Sequence, residues 1–218
     1  MKRTFLDNTR EPRGLGGFIM LKMMNFGHKD LALWGLRHLE IAPNACILDI
    51  GCGGGQSVAT LLERAPEGNV YGIDPTPLCV ATSVRANADA IEEGRCDILQ
   101  ASAEALPFSA STMDIITAFE TIYFWEDAPT ACKEILRVLK PGGIFFICVE
   151  LANLDTEYPA QAKWKKRAET LKMKIYSPED FSALLRTAGF ARADMYVSQK
   201  RGRICVVARK PQTIEETV

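Results

Sequence analysis

The sequence predicts an α/β protein: three layers, doubly wound, with a mainly parallel seven-stranded sheet that carries one antiparallel strand. Three observations predict it. Short apolar runs alternate five times with segments of helical spacing, the pattern of strands joined by crossover helices. The first of these runs breaks directly into glycines and then into a helix, as at the ligand crevice of a doubly wound sheet. Two closing strands, around 192–198 and 203–208, are separated only by an interval at Lys200-Arg201-Gly202. They should therefore pair as an antiparallel hairpin, which forces one strand to run backwards.

The first strand and its turn are Cys46-Ile47-Leu48-Asp49-Ile50-Gly51-Cys52-Gly53-Gly54-Gly55. The apolar part is too short for a helix, whereas Val58, Leu61, Leu62 and Ala65 follow at the spacing of a helix with one buried face, over 56–65. Glycine suits the turn because it accepts positive φ and bares the backbone to a ligand. The helix start beyond it offers unpaired N–H groups and partial positive charge, a setting for a polar, partly anionic small molecule. Gly51 and Gly53 begin a G-x-G-x-x-G pattern, but Gln56 stands at its last position. Asn69-Val70-Tyr71-Gly72-Ile73-Asp74 reads as a second strand ending in an acid that can accept two ribose hydroxyls. The two segments together indicate a nucleoside-containing ligand, and both NAD and S-adenosylmethionine fit.

The remaining elements follow in order. The first thirty residues, rich in glycine and methionine, read as an arm or lid, and Asp30 as the cap of a helix through Trp34, Leu36 and Leu39. Thr76 is placed to cap a helix that opens on Pro77 and stops at Gly94. Residues 96–100 make a third strand, 101–108 a loop and 114–119 a fourth strand. The next helix buries Ala131, Ile135, Val138 and Leu139 and stops at Lys140-Pro141-Gly142-Gly143. Residues 144–149, almost continuously apolar, suit a strand covered on both faces. Residues 151–176 break the alternation. Ala160, Trp164, Ala168, Leu171 and Ile175 give a helical cap whose lysines and arginines form a solvated basic face. Ser177-Pro178-Glu179-Asp180 opens a last helix that buries Phe181, Leu184, Leu185 and Ala188. The expected organisation is an N-terminal arm over 1–45, one domain over 46–210 with its cap insertion, and a flexible tail over 211–218.

Bulk properties narrow the function classes. A net charge of −1 in 218 residues gives no support for nucleic-acid binding. No apolar stretch approaches the roughly 20 residues of a membrane span, and residues 1–8 lack a signal-peptide core, so the cytoplasm is expected. Seven scattered cysteines without a C-x-x-C pair indicate reduced, buried thiols. Two histidines offer little for a metal site, and none is expected.

Four segments in register carry a resemblance: Ile47–Gly55, Gly72-Ile73-Asp74, Ala103-Glu104-Ala105-Leu106-Pro107-Phe108, and Arg137-Val138-Leu139-Lys140-Pro141-Gly142-Gly143. On these the chain resembles the class I S-adenosylmethionine-dependent methyltransferases, of the small single-domain kind with quinone-methylase-like motifs. The resemblance implies a Rossmann-like methyltransferase fold, S-adenosylmethionine as cofactor and S-adenosylhomocysteine as product. It implies that Gly51, Cys52 and Gly53 lie against the methionine and ribose. Asp49 would hold the methionine ammonium, while Asp74, with Pro75 beside it, would accept the ribose hydroxyls. Ala103 and Glu104 would edge the adenine through a backbone N–H and the Glu104 carboxylate, and Phe119 and Glu120 would flank the methionine end. Plainer roles stand beside these: the two aspartates as turn caps, Glu104 as a solvated loop acid, Cys52 as a packing residue rather than an activated thiol.

The resemblance further implies in-line transfer of an activated methyl group, with the protein aligning the partners and excluding water. The acceptor is expected to be a small molecule, because no added domain or basic groove offers a polymer platform. Candidates on the acceptor side are His28, Glu120, Tyr123, Trp125 and Glu150, none of them an assigned catalytic residue. Two rival readings remain at this stage: a nicotinamide-dependent oxidoreductase and a non-catalytic nucleoside-binding module.

Overall fold

The near-continuous apolar run at 144–149 is the centre of the molecule, because alternate residues of it enter different cores. A computed structural model describes residues 8–9, 12–14, 16–17, 19, 30–150, 152, 154, 168–199 and 202–212. Strand β5 (Leu139–Val149) sends Phe145, Ile147 and Val149 into one core and Phe146 and Cys148 into the other. Full burial of each large side chain contributes about 1.5–3 kcal/mol, so both faces must be covered by helices.

The other strands are β1 (Cys46–Ile50), β2 (Asn69–Asp74), β3 (Cys96–Gln100), β4 (Met113–Phe119), β6 (Arg192–Ser198) and β7 (Arg203–Arg209). They form one seven-stranded sheet in the order β3-β2-β1-β4-β5-β7-β6. β7 is antiparallel to β5 and β6, while the other pairs are parallel. This is the expected sheet with one reversed strand. The order turns back between β1 and β4, so a crevice opens beyond their carboxyl ends.

Helices α1 (30–35), α2 (Gln56–Arg64) and α3 (Pro77–Ala86), with the short α4 (Ala88–Glu92), cover one face. Leu31, Val58 and Leu61 fill the core beneath them with Ile47, Val70 and Phe146. Helices α5 (Ala128–Val138) and α6 (Pro178–Ala188) cover the other, burying Ala131, Ile135, Phe181 and Leu185 against Leu48, Ile116 and Phe145. A capping box starts α6: the Ser177 hydroxyl accepts the Asp180 N–H while the Asp180 carboxylate accepts the Ser177 N–H. All seven cysteines are free thiols, six of them buried. Among the described residues, no helix is long and apolar enough to cross a membrane.

Four sequence expectations need correction. The helix from Pro77 to Gly94 is two helices, because Asn87 leaves helical geometry and donates its side-chain amide to the Ser83 and Gly55 carbonyls. The Thr76 side chain makes no cap bond; the Asp74 carboxylate instead accepts the Thr76 N–H at 2.9 Å. β5 begins at Leu139 rather than 144, since the Lys-Pro-Gly-Gly segment stays in the sheet. Its Lys140 ammonium reaches Asp114, where the β4–β5 register shifts. Asp30 is itself helical rather than a cap, and its carboxylate accepts from Arg203. Most of the first thirty residues, including His28, most of the cap and the tail beyond 212 lie outside the described residues.

Candidate functional site

Asp49 is the most deeply enclosed acid of the described chain, 1 % exposed near the end of β1. Its position follows from strand register: Asp49 pairs with Thr117 of β4, whose hydroxyl donates to its carboxylate at 2.6 Å. From the first turn of α2, the Ser57 hydroxyl donates to the other oxygen. Burial pushes the Asp49 carboxyl from 3.8 up to about 6; the two hydroxyls oppose the rise and the Asp74 charge adds to it.

Asp74 closes β2, and it too is buried. Its two oxygens accept the N–H groups of Gly53, at 3.1 Å, and of Thr76. Burial raises its pKa against those same hydrogen bonds. Gly51 and Cys52 donate their N–H groups to the Ile73 carbonyl, so the turn is laced to β2 at both residues. Glycine is required at two places. Gly51 has φ +72°, and a Cβ there would overlap the Thr121 side chain; Gly55 has φ +84° at the start of α2, and a Cβ would strike Asn87 and Ser83.

Among the described residues, the groups acting on the two aspartates are hydroxyls, backbone N–H groups, the Cys79 thiol and, for Asp49, the Asp74 charge. No lysine or arginine is among them. Two buried carboxylates that repel each other, with no protein cation between them, are suited to a ligand that brings its own positive charge. Cys52 beside them is buried, and burial together with these carboxylates pushes its thiol well above the ordinary range. That is the reverse of an activated nucleophile and fits the packing role.

The structure divides the other expected residues into two groups. Pro75, exposed, accepts the Gln100 side-chain amide on its carbonyl. The segment after β3 begins beside Asp74, where the Ala101 N–H meets the Asp74 carbonyl, and Ala103 is buried. The Glu104 carboxylate accepts the N–H groups of Glu126 and Asp127, ahead of α5. On the other side of β1, Phe119 tilts against Phe146 at 5.5 Å. Glu120 takes a left-handed backbone (φ +55°), which costs a non-glycine residue about 1 kcal/mol or more. Its carboxylate accepts the Tyr123 hydroxyl at 2.6 Å and the Glu150 N–H. Trp125 stacks on Phe145 as packing. Glu150 in turn accepts two bonds from the Arg203 guanidinium, whose third bond goes to Asp30.

Sequence reasoning missed Ser57, Thr117, Thr121 and Arg203, and the contacts of Arg137. Thr117 alone left a local signal, a polar residue inside an apolar strand. The others gain partners only through the fold.

Comparison with known proteins agrees with this geometry. Residues 48–147 match a family model described as a methyltransferase domain. An uncharacterized methyltransferase of Bacillus subtilis (strain 168), YdaC, is 26 % identical over 201 residues, which are 91 % of this chain and 99 % of that protein. The Haloferax volcanii protein solved in complex with the methyltransferase activator Trm112 superimposes with a TM-score of 0.78 at 20 % identity, covering 97 % of this chain and 100 % of that one. A SAM-dependent methyltransferase from Aquifex aeolicus gives a TM-score of 0.69 at 19 % identity, covering 87 % and 96 %. The sheet order and the likeness to these solved structures show the fold that they share, and over residues 48–147 the chain is similar to the methyltransferase-domain family.

Proposed function

We propose that the chain binds S-adenosylmethionine at the β1–β2 crevice and transfers its methyl group to a small-molecule acceptor, leaving S-adenosylhomocysteine. The observation that carries this reading is the pair Asp49 and Asp74, buried without a cation among the described residues. Asp49 speaks against NAD, whose pyrophosphate would bring negative charge to a buried carboxylate beside the glycine turn, whereas Asp74 suits either ligand. In this reading Asp49 holds the methionine ammonium, and Asp74 accepts the ribose hydroxyls. The backbone of Gly51, Cys52 and Gly53 lies along the ligand, Pro75 and Ala103 border the base, and Phe119 and Glu120 border the methionine end. Glu104 belongs to the segment that faces the base.

The bound cofactor supplies an activated methyl on a sulfonium, and in-line displacement is the expected chemistry. What this chain contributes is alignment and exclusion of water, worth several kcal/mol through proximity. On the acceptor side the Tyr123 hydroxyl and Glu120 carboxylate form one hydrogen-bonded couple at the end of β4. In this reading that couple orients the acceptor or takes its proton.

Calorimetry with S-adenosylmethionine, S-adenosylhomocysteine and NAD tests the cofactor. The first two are expected to bind and NAD is not, and Asp74→Ala should lose about 100-fold in affinity for both binders. Tight NAD binding with no response to the sulfonium compound would reject the reading. Incubation with pooled metabolites and labelled cofactor, read as one-methyl mass gains, identifies the acceptor.

A further inference from the structure

The segment that crosses from β3 to β4 contains no helix, yet it is fastened to α5 at both ends. Ahead of the first turn of α5, the Glu104 carboxylate accepts the N–H groups of Glu126 and Asp127 at 3.1 and 3.4 Å. Near the last turn, the Arg137 guanidinium donates to the Phe108 carbonyl at 2.8 Å and the Leu106 carbonyl at 3.2 Å. Beside it, Glu134 accepts the Leu106 N–H at 3.2 Å. Glu134 and Arg137 are themselves joined by two parallel bonds of 2.7 Å. Along α5 the two fastenings lie about 10–15 Å apart at 1.5 Å per residue. Between them Ala103 and Leu106 are buried, and Phe108 sets its ring edge against Tyr71.

The chemistry of the lower clamp is specific. A guanidinium presents a planar fork that can hold a carboxylate with two bonds and still reach two carbonyls; an ammonium offers no such plane. The ion pair itself is partly exposed, at 38 % for Arg137 and 25 % for Glu134, so its worth to global stability is small. Its effect is geometric. Together the clamps fix residues 101–108, which start at the Asp74 carbonyl.

We propose that Arg137, Glu134 and Glu104 are positioning residues for base recognition: they hold the 101–108 segment so that its backbone at Ala103–Glu104 reads the edge of the cofactor's adenine. Glu104 then acts through the N–H groups ahead of α5 rather than by touching the base. This inference rests on the S-adenosylmethionine reading above and adds to it the origin of base specificity.

The test is calorimetry of the wild type, Arg137→Met, Arg137→Lys and Glu104→Ala with S-adenosylhomocysteine and with its hypoxanthine counterpart, S-inosylhomocysteine. The wild type is expected to favour adenine by about tenfold, the worth of one well-made hydrogen bond. Folded variants, checked by thermal melting, are expected to reduce that preference to about twofold, with lysine failing to restore it. A merely structural role would lower the melting temperature without moving the ratio. A full adenine preference in folded Arg137→Met and Glu104→Ala would overturn the positioning role and leave the cofactor reading intact. A wild type that binds both compounds equally would also overturn it, and one that binds neither would overturn both readings. If Arg137→Met does not fold, Glu104→Ala, at a partly exposed position, decides alone.

Discussion

Asp49 and Asp74, near the ends of β1 and β2, are buried, and their partners among the described residues are hydroxyls, N–H groups and the Cys79 thiol. Glu150, two strands away at the end of β5, shares the buried guanidinium of Arg203 with Asp30 of α1. Both regions set acids near the carboxyl ends of strands, and they treat that charge in opposite ways. On the β5 side the protein neutralises its own acids, and the ion pairs join α1, β5 and β7. On the β1–β2 side no lysine or arginine among the described residues meets them, an arrangement that the ammonium of the proposed ligand would complete. Buried charge without a partner is costly, so a fold keeps it where a ligand supplies the missing cation.

That contrast can be broken at either end. The largest expected effect is on binding: Asp49→Asn should weaken S-adenosylmethionine by about 100-fold or more by calorimetry, as expected for loss of a buried charge-assisted contact. On the other side, Arg203→Met should cost about 1–3 kcal/mol in denaturant unfolding, because Glu150 and Asp30 lose their cation, while cofactor affinity stays within about threefold. Were Arg203→Met to abolish cofactor binding and spare stability, the two regions would not be separate.

A smaller effect concerns stability and has the opposite sign. The folded pKa of Asp49, about 6, lies above the ordinary 3.8, so between those values the native state holds a proton that the unfolded chain has released. Its contribution to stability is therefore present below 3.8 and lost as pH rises through 6. Without ligand at pH 7.5, Asp49→Asn should be more stable than the wild type by on the order of 1–3 kcal/mol, and the gap should close as pH falls toward 4. Melting curves of both proteins across that range check it. The smallest expected effect is in the pH profile of binding. Cofactor affinity of the wild type should fall below pH 6 by up to about tenfold per unit, and Asp49→Asn should lack that limb.

The cofactor half of this account was legible in the sequence because its parts are local. A strand, an acid, a glycine turn and a helix start lie within about twenty residues, and the second acid closes the next strand. The mainly parallel sheet with one reversed strand followed from the alternation and the closing hairpin. What the sequence concealed depends on distance. Thr117 meets Asp49 only through the β1–β4 register, 68 residues apart, and Asp30 meets Arg203 across 173. Asn87 broke a helix because its amide bonds to Gly55, a turn belonging to another element. Leu139 joined the sheet early because Asp114 sits at a register shift that periodicity does not register. Arg137 was visible as part of a motif, but its carbonyl partners emerge only when α5 packs along the 101–108 segment.

The most direct test of the central claim is a calorimetric double-mutant cycle that removes the ammonium from the ligand and the charge from Asp49. Wild type and Asp49→Asn are titrated with S-adenosylhomocysteine and with its desamino analogue. The account predicts that the wild type loses about tenfold or more when the amine is removed, whereas Asp49→Asn binds both compounds alike. An equal loss in both proteins would mean that the buried acid of β1 does not face the cation, and would contradict the account.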